Sequence, residues 1–218
     1  MPLALDVTDR DAVFAAVKQG HGHFGRLDVI LSNAGYGLMG AVEEVGIDAA
    51  SAIFQTNFFG TLSVIQAALP LLRSQGSGHI IPVSSVAGLT TFRCGGLYHA
   101  SKFAVVGLAE SLAQEVGAFG IKVTIIEPGP FATEFMSDTS MKIADPIAAY
   151  APLHQRLMAA FTPDAFSDPP ATTEFVLRVV DAEKPPLHLL LGPMRPRIDA
   201  VYAARAADWD KWAAVTGA

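Results

Sequence analysis

Tyr98 and Lys102 are the residues of this chain whose types and spacing could do acid–base chemistry. They stand in Tyr98-His-Ala-Ser-Lys102, four residues apart, so on a helix they share one face, one turn apart. An ammonium ~4 Å from a phenol favours the phenolate by roughly 4 kcal/mol at an effective dielectric near 20, or about three pKa units. The expectation is a tyrosine that exchanges protons near neutral pH. Ser85 ends the apolar run that starts at His79, where its hydroxyl could hold a carbonyl or hydroxyl oxygen beside that phenol. By itself Tyr-x-x-x-Lys is a weak signal, because a surface tyrosine packed on a lysine stem has the same spacing.

Three near-continuous apolar runs, Leu27–Leu31, His79–Ser85 and Lys122–Glu127, read as parallel strands buried on both faces. They lead into Asn33-Ala34-Gly35, Ser84-Ser85 and Pro128-Gly129-Pro130. In an open parallel sheet the ligand crevice lies beyond the carboxyl ends of the strands, which is where these polar and Gly-rich residues gather. Pro2–Val7 reads as a first strand and Leu187–Leu191 as a last one. Pro82 predicts a local irregularity, since it lacks a ladder N–H.

Helical periodicity fills the intervals. Thr8 with Asp11 predicts a helix start, with Val13, Phe14 and Val17 inward. Asp48–Ser74 predicts one long helix with Ile53, Phe54, Phe58, Leu62, Ile65 and Leu69 inward, bent or ended early by Pro70. Tyr98–Val116 is a helix stopped by Gly117 and Gly120. Thr172–Ala182 and Arg197–Val215, which carries Trp209 and Trp212, are the last two. Ile147, Tyr150, His154, Leu157, Met158 and Phe161 form a stripe that serves equally as packing on the body or as a substrate lid. The fold class predicted is α/β, a doubly wound parallel sheet in a single domain over 1–218.

Two strings match G-x-G-x-x-G, Gly20–Gly25 and Gly35–Gly40, and both fail as dinucleotide loops. The first follows a helix, which makes His21 and His23 solvated loop residues; the second is followed by no helix start at the required place. The 218 residues are 51% hydrophobic and 17% charged with net charge −6, which fits a well-buried α/β protein and gives no nucleic-acid or anionic-membrane footprint. Cys94 stands alone, so neither a disulfide framework nor a thiolate metal cluster is expected, and no metal site is predicted. With no apolar run near ~20 residues and no signal peptide, the expected location is the cytoplasm, without membrane insertion.

The strings VSSVAG around Ser85 and YHASKFAV around Tyr98, at their mutual spacing, resemble the short-chain dehydrogenase/reductase family of classical type. The resemblance runs from Asp6 to about Gly192. It implies a Rossmann-like oxidoreductase using NAD or NADP on a small-molecule carbonyl or alcohol. Tyr98 would be the proton donor and acceptor, Lys102 would hold the nicotinamide ribose, Ser85 would orient the substrate oxygen, and Asn57, at a helix kink, would support the proton relay. Asp6, Val7, Asn33, Ala34 and Gly35 would contact or back the cofactor, and Pro128, Gly129 and Thr133 would border the nicotinamide. Residues 131–170 would cover the substrate, their apolar character pointing to a lipophilic ketone or secondary alcohol, and 194–218 would be a helical tail. The resemblance also implies a homodimer or homotetramer through the Asp48–Ser74 and Tyr98–Val116 helices, with Val64, Ala68, Val105 and Ala109 as uncovered apolar surface.

The family's opening strand, Thr-Gly-x-x-x-Gly-x-Gly loop, helix and second strand have no counterpart here. The expectations are a missing pyrophosphate site, missing NAD-versus-NADP determinants and an apolar sheet edge at Leu27–Leu31, hence weak dinucleotide binding and poor solubility, unless Met1 is an internal start. The alternative reading is a cofactor-deficient, non-enzymatic interaction module.

Overall fold

The computed structural model describes the chain except residues 138, 160, 161, 163–165, 170 and 218, and except the side chains of Met136 and Ala171. Elements follow as α1 (Arg10–Phe24), β1 (Val29–Ser32), β2 (Gly37–Met39), α2 (Ile47–Phe54), a π-helical turn (Gln55–Gly60) and α3 (Thr61–Gln75). Then come β3 (Gly78–Pro82), α4 (Gly96–Val116), β4 (Ile121–Val123), β5 (Ile125–Pro128), β6 (Met141–Ile143), α5 (Ala151–Met158), α6 (Ala171–Asp181), β7 (His188–Leu191) and α7 (Arg195–Thr216).

The strands pair in parallel as β1-β3-β4 and β5-β7, and an isolated bridge from Val83 to Ile126 joins the two sets. Ile30, Ile80, Val123 and Ile125 pack on Ile65, Ala68 and Leu72 of α3 and on Val106, Ala109 and Leu112 of α4. On the opposite face Ile81, Ile126 and Leu191 meet Val176 and Val180 of α6. Helices on both faces of a parallel sheet make the fold Rossmann-like.

Several boundaries differ from the sequence reading. Pro2–Val7 forms no strand. Asp6 turns its carboxylate onto the N–H and hydroxyl of Thr8, at 2.9 and 2.8 Å, and the chain bends into α1. The cap of α1 is Asp9, whose side chain accepts from Ala12 N–H, rather than Thr8. His21 and His23 lie in the last turn of α1, not in a loop. The first apolar run pairs over Val29–Ser32, and it is an edge strand with one bare face: Val29 is 38% and Leu31 47% exposed. The apolar edge is therefore present, and burial on both faces is not.

Pro82 accounts for the break between β4 and β5. The ladder shows Thr124 N–H on the Ile80 carbonyl and, two steps on, Ser84 N–H on the Ile126 carbonyl. Between them Pro82 has no N–H to give, so β3 closes at Pro82 instead of Ser85 and the strand read as Lys122–Glu127 divides at Thr124. Pro70, by contrast, does not end its helix: α3 runs on to Gln75 and stops at Gly76, which is left-handed at φ +71. The single helix read over Asp48–Ser74 is interrupted by the π-helical turn. Of the four residues named as uncovered apolar surface, Ala68, Val105 and Ala109 are buried within this chain, so they offer nothing to a second copy.

The predicted stripe divides. Leu157 is buried against Met39 and Cys94, Met158 is exposed, and Phe161 lies outside the described residues. Among the described residues no helix is long and apolar enough to cross a membrane.

Pro70 denies α3 one internal hydrogen bond on an exposed face. Pro70→Ala restores that donor and should stabilise the fold by about 1–3 kcal/mol, less the entropy the unfolded chain regains. A thermal melt should show Tm rising by a few degrees. An unchanged or lower Tm would mean that the proline fits its turn without cost.

Candidate functional site

Three strand ends set the site. Ser85 follows β3 and opens a 3₁₀ turn, Val86–Gly88, with its own side chain as cap: its Oγ accepts from Ala87 N–H at 3.1 Å. The same hydroxyl donates to the Pro128 carbonyl at the end of β5, 3.3 Å away, and lies near enough to the Tyr98 phenol to lower its pKa. Tyr98 sits in the first turn of α4, and Lys102 one turn later. The Lys102 ammonium donates to the Val83 carbonyl at 3.0 Å and stands 5.9 Å from the Tyr98 ring centre. Ser85, Tyr98 and Lys102 therefore converge at the carboxyl edge of the sheet, as their spacing predicts.

Asn57 reaches the same place through the π-helical turn. Its amide is saturated: Oδ1 accepts from Tyr36 N–H at 3.0 Å, and Nδ2 donates to the Tyr36 carbonyl at 3.0 Å and to Ser101 Oγ at 3.1 Å. Ser101 in turn donates to the Tyr98 carbonyl at 2.8 Å. Gly35 lies against both groups, since a Cβ there would stand 3.0 Å from Asn57 Oδ1 and 3.5 Å from Lys102 Nζ. Asn33 and Ala34, beyond β1, are exposed. Gly129 donates to the Leu191 carbonyl at 2.8 Å. Thr133 caps the short turn Glu134–Met136, its hydroxyl accepting from Phe135 N–H at 3.3 Å. Asp6 engages Thr8 rather than the crevice, while Val7 packs against Gly60 of the π-helical turn.

The electrostatics differ from the sequence expectation. Burial pushes the Tyr98 phenol up to about 12, with the nearby Ser85 hydroxyl acting the other way. Burial also brings Lys102 down to about 8. The lowering of Tyr98 by Lys102 does not occur because the ammonium turns to the Val83 carbonyl and desolvation of the phenolate dominates.

A segment covers the site. The Phe135 ring lies 5.8 Å from the Tyr98 ring, and β6 pairs in parallel with β2. Glu44, whose side chain is wholly enclosed, holds that segment down. Its carboxylate accepts from Ala41 N–H at 2.6 Å, Ile147 N–H at 2.8 Å and His154 Nε2 at 2.8 Å. Burial pushes the Glu44 pKa up, but these donors outweigh it and leave the carboxyl below its ordinary value. Tyr150 adds a bond to Glu43 at 2.6 Å. Sequence reasoning missed Glu44, Ser101 and Phe135. The stripe through Tyr150 and His154 was the one signal that the segment docks, and nothing in it named a partner.

A family model described as short chain dehydrogenase matches residues 1–144. Oxidoreductase BOA17 of Botryotinia fuckeliana is 41% identical over 211 residues, which cover 95% of this chain and 75% of that protein. Among solved structures, a short-chain dehydrogenase from Streptomyces avermitilis has a TM-score of 0.87 at 32% identity, covering 98% of this chain and 78% of that one. ElxO with NADP bound has a TM-score of 0.70 at 25% identity, covering 86% of this chain and 74% of that one.

Two measurements check this description. A phenol held at about 12 contributes stability that is full below pH about 10 and fades as pH rises through the folded value. The wild-type minus Tyr98→Phe tyrosinate absorbance should therefore stay flat up to pH about 10, where titration near neutrality would restore the Coulombic expectation. For Glu44 the sign is opposite: the clasp is full above pH about 4.5 and weakens as pH falls through the depressed value. At neutral pH, Glu44→Ala should speed amide exchange at Ile147 and through α5 while leaving α4 unchanged; equal exchange at Ile147 would show that the clasp holds nothing.

Proposed function

The chain belongs to the short-chain dehydrogenase family, and on that premise we propose that it transfers hydride between NAD or NADP and a carbonyl or secondary alcohol, with Tyr98 as the proton donor and acceptor. The observation that carries the reading is the convergence of the Ser85 hydroxyl, the Tyr98 phenol and the buried Lys102 ammonium at the strand ends. When bound, the nicotinamide supplies or takes the hydride.

The residues present fit the nicotinamide half of such a cofactor. Lys102 is fully buried with the Val83 carbonyl as its hydrogen-bond acceptor, and two of its N–H groups remain to meet ribose hydroxyls. Gly35 leaves open backbone beside it. In this reading Asn33, Ala34, Gly35, Pro128, Gly129 and Thr133 border the cofactor, while Asp6, turned onto Thr8, and Val7, packed on Gly60, leave the cofactor to these. Neither G-x-G-x-x-G string joins a strand to a helix N-terminus: the first lies mostly inside α1 and the second spans β2.

Ser85 holds the substrate oxygen beside the phenol. A phenol pushed up to about 12 keeps its proton at neutral pH, ready for a substrate oxygen that turns into an alkoxide as hydride arrives. Lys102, at about 8, remains mostly an ammonium at neutral pH, the form whose N–H groups donate to ribose hydroxyls. Leu38, Phe135 and Tyr36, clustered at the Tyr98 ring, support a lipophilic ketone or secondary alcohol as substrate.

The test is NADPH oxidation at saturating NADPH over a panel of lipophilic ketones, wild type against Tyr98→Phe. The variant should lose nearly all turnover, by more than about 100-fold, and keep NADPH affinity within a few-fold, since only the hydroxyl is removed. Undiminished turnover would remove Tyr98 from the chemistry. No NADPH-dependent turnover of any ketone in the wild type would favour the interaction-module reading.

A further inference from the structure

His99 is buried beside the proposed catalytic tyrosine, and no role has been given to it above. Being next to Tyr98 on α4, it points to a different side of the helix and cannot share the tyrosine's face. Both of its ring nitrogens are engaged by backbone. Nε2 accepts the N–H of Phe92 at 3.0 Å, so the proton resides on Nδ1, which donates to the Ala87 carbonyl at 2.9 Å. The Phe92 ring also meets the imidazole edge-on at 4.3 Å. Gly95 admits the ring, since a Cβ there would stand 2.9 Å from Nε2.

The two backbone groups bracket the loop that carries Ser85. Ala87 is the residue whose N–H bonds Ser85 Oγ at 3.1 Å, and that hydroxyl lies beside the Tyr98 phenol, whose pKa it lowers. A short path thus runs from His99 through the Ala87 peptide to Ser85 and back to the residue beside His99. We propose that His99 is a positioning residue: as the neutral Nδ1–H imidazole it clamps the loop 85–92 onto α4 and so sets the Ser85 hydroxyl against the Tyr98 phenol. This rests on the reading of Ser85 and Tyr98 as the reacting pair. The clamp needs one donor and one acceptor on a single ring, which the neutral imidazole has and the imidazolium lacks. Protonation would set a second ring N–H against the Phe92 N–H. Burial holds the His99 pKa below its ordinary value, and the charge of Arg197, facing it from α7, acts the same way. Tyr98 is the titratable neighbour on its own helix, 6.2 Å away between ring centres.

The test uses amide hydrogen exchange and turnover on the same full-length proteins: wild type, His99→Asn, His99→Gln and His99→Leu. Asn presents an N–H toward Ala87, and Gln presents a carbonyl toward Phe92. Exchange at the Ala87 amide should rise at least tenfold in His99→Leu and stay within about threefold of wild type in His99→Asn. His99→Gln should protect Phe92 but not Ala87. Lowering pH from about 7.5 to below the depressed His99 value should loosen Ala87 in wild type, beyond the intrinsic pH effect on exchange, and not in His99→Asn. Turnover should follow Ala87 protection through kcat, with KM for NADPH unchanged within twofold. Should His99→Leu fail to fold, the His99→Gln and His99→Asn pair carries the same contrast. Equal Ala87 protection in wild type and His99→Gln, or loosening with no kcat change, overturns the proposal. Ala87 protection is measured whether or not any ketone turns over, so a failed oxidoreductase reading shows as absent wild-type turnover and a failed clamp as unchanged exchange.

Discussion

The Lys102 ammonium is the interaction on which the site depends. A cation taken out of water needs an acceptor, and among the described residues Lys102 has the Val83 carbonyl, at the point where β3 stops pairing as a strand. That single bond ties the first turns of α4 to the sheet edge and draws other groups in. Gly35 lies close enough that a side chain there would crowd both the ammonium and Asn57. Asn57 in turn is delivered by a π-helical turn between α2 and α3, where an α-helical register would carry its amide elsewhere. A π turn is an unfavourable local choice, and here it is compensated by three side-chain hydrogen bonds to Tyr36 and Ser101.

The same constraint explains why the surrounding loops approach so closely. Gly88 stands where a Cβ would be 2.6 Å from Ser84 Oγ and 2.8 Å from the Lys102 carbonyl, so the turn after Ser85 is pressed onto α4. From outside, α7 presses on that turn as well: Ile198 packs with Val86 and Leu89, and Arg205 reaches the Leu89 carbonyl at 3.5 Å. Ser85, Tyr98 and Lys102 thus sit between a helix, a strand end and a buttressed turn, an arrangement that fixes geometry at the expense of solvent contact. Loss of solvent contact is what drives the phenol and the ammonium in opposite directions, each toward its neutral form.

Much of this was legible beforehand. The order of strands and helices followed from apolar runs and helical stripes, and α4 and its two titratable residues fell where four-residue spacing put them. The convergence of Ser85 with that helix followed from its place after a strand. The misreadings share a cause. The Coulombic estimate for Tyr98 treated two charges at a fixed separation and left out both the cost of burial and the direction in which Lys102 points. The family resemblance placed a kink at Asn57, but the residues alone do not show the π-helical turn, because six residues of helical sequence look alike whether the bond spans four residues or five. Pro2–Val7 has strand-like composition, but a strand exists only with a partner, and composition carries no partner.

The sequence by itself determined the fold class, the shared face of Tyr98 and Lys102 on one helix and the edge of the sheet where the polar and Gly-rich residues gather, because these rest on periodicity and on the side of a strand or helix that a residue must occupy. Tertiary structure alone decided the rest. Which acceptor the ammonium takes, where the Asn57 amide lands, that Glu44 clasps a segment 103 residues ahead through Ile147, and that His99 bridges Ala87 and Phe92 are outcomes of packing. The physical reason is that desolvation and hydrogen-bond partnership belong to pairs of groups distant along the chain, and neither leaves a local pattern to read.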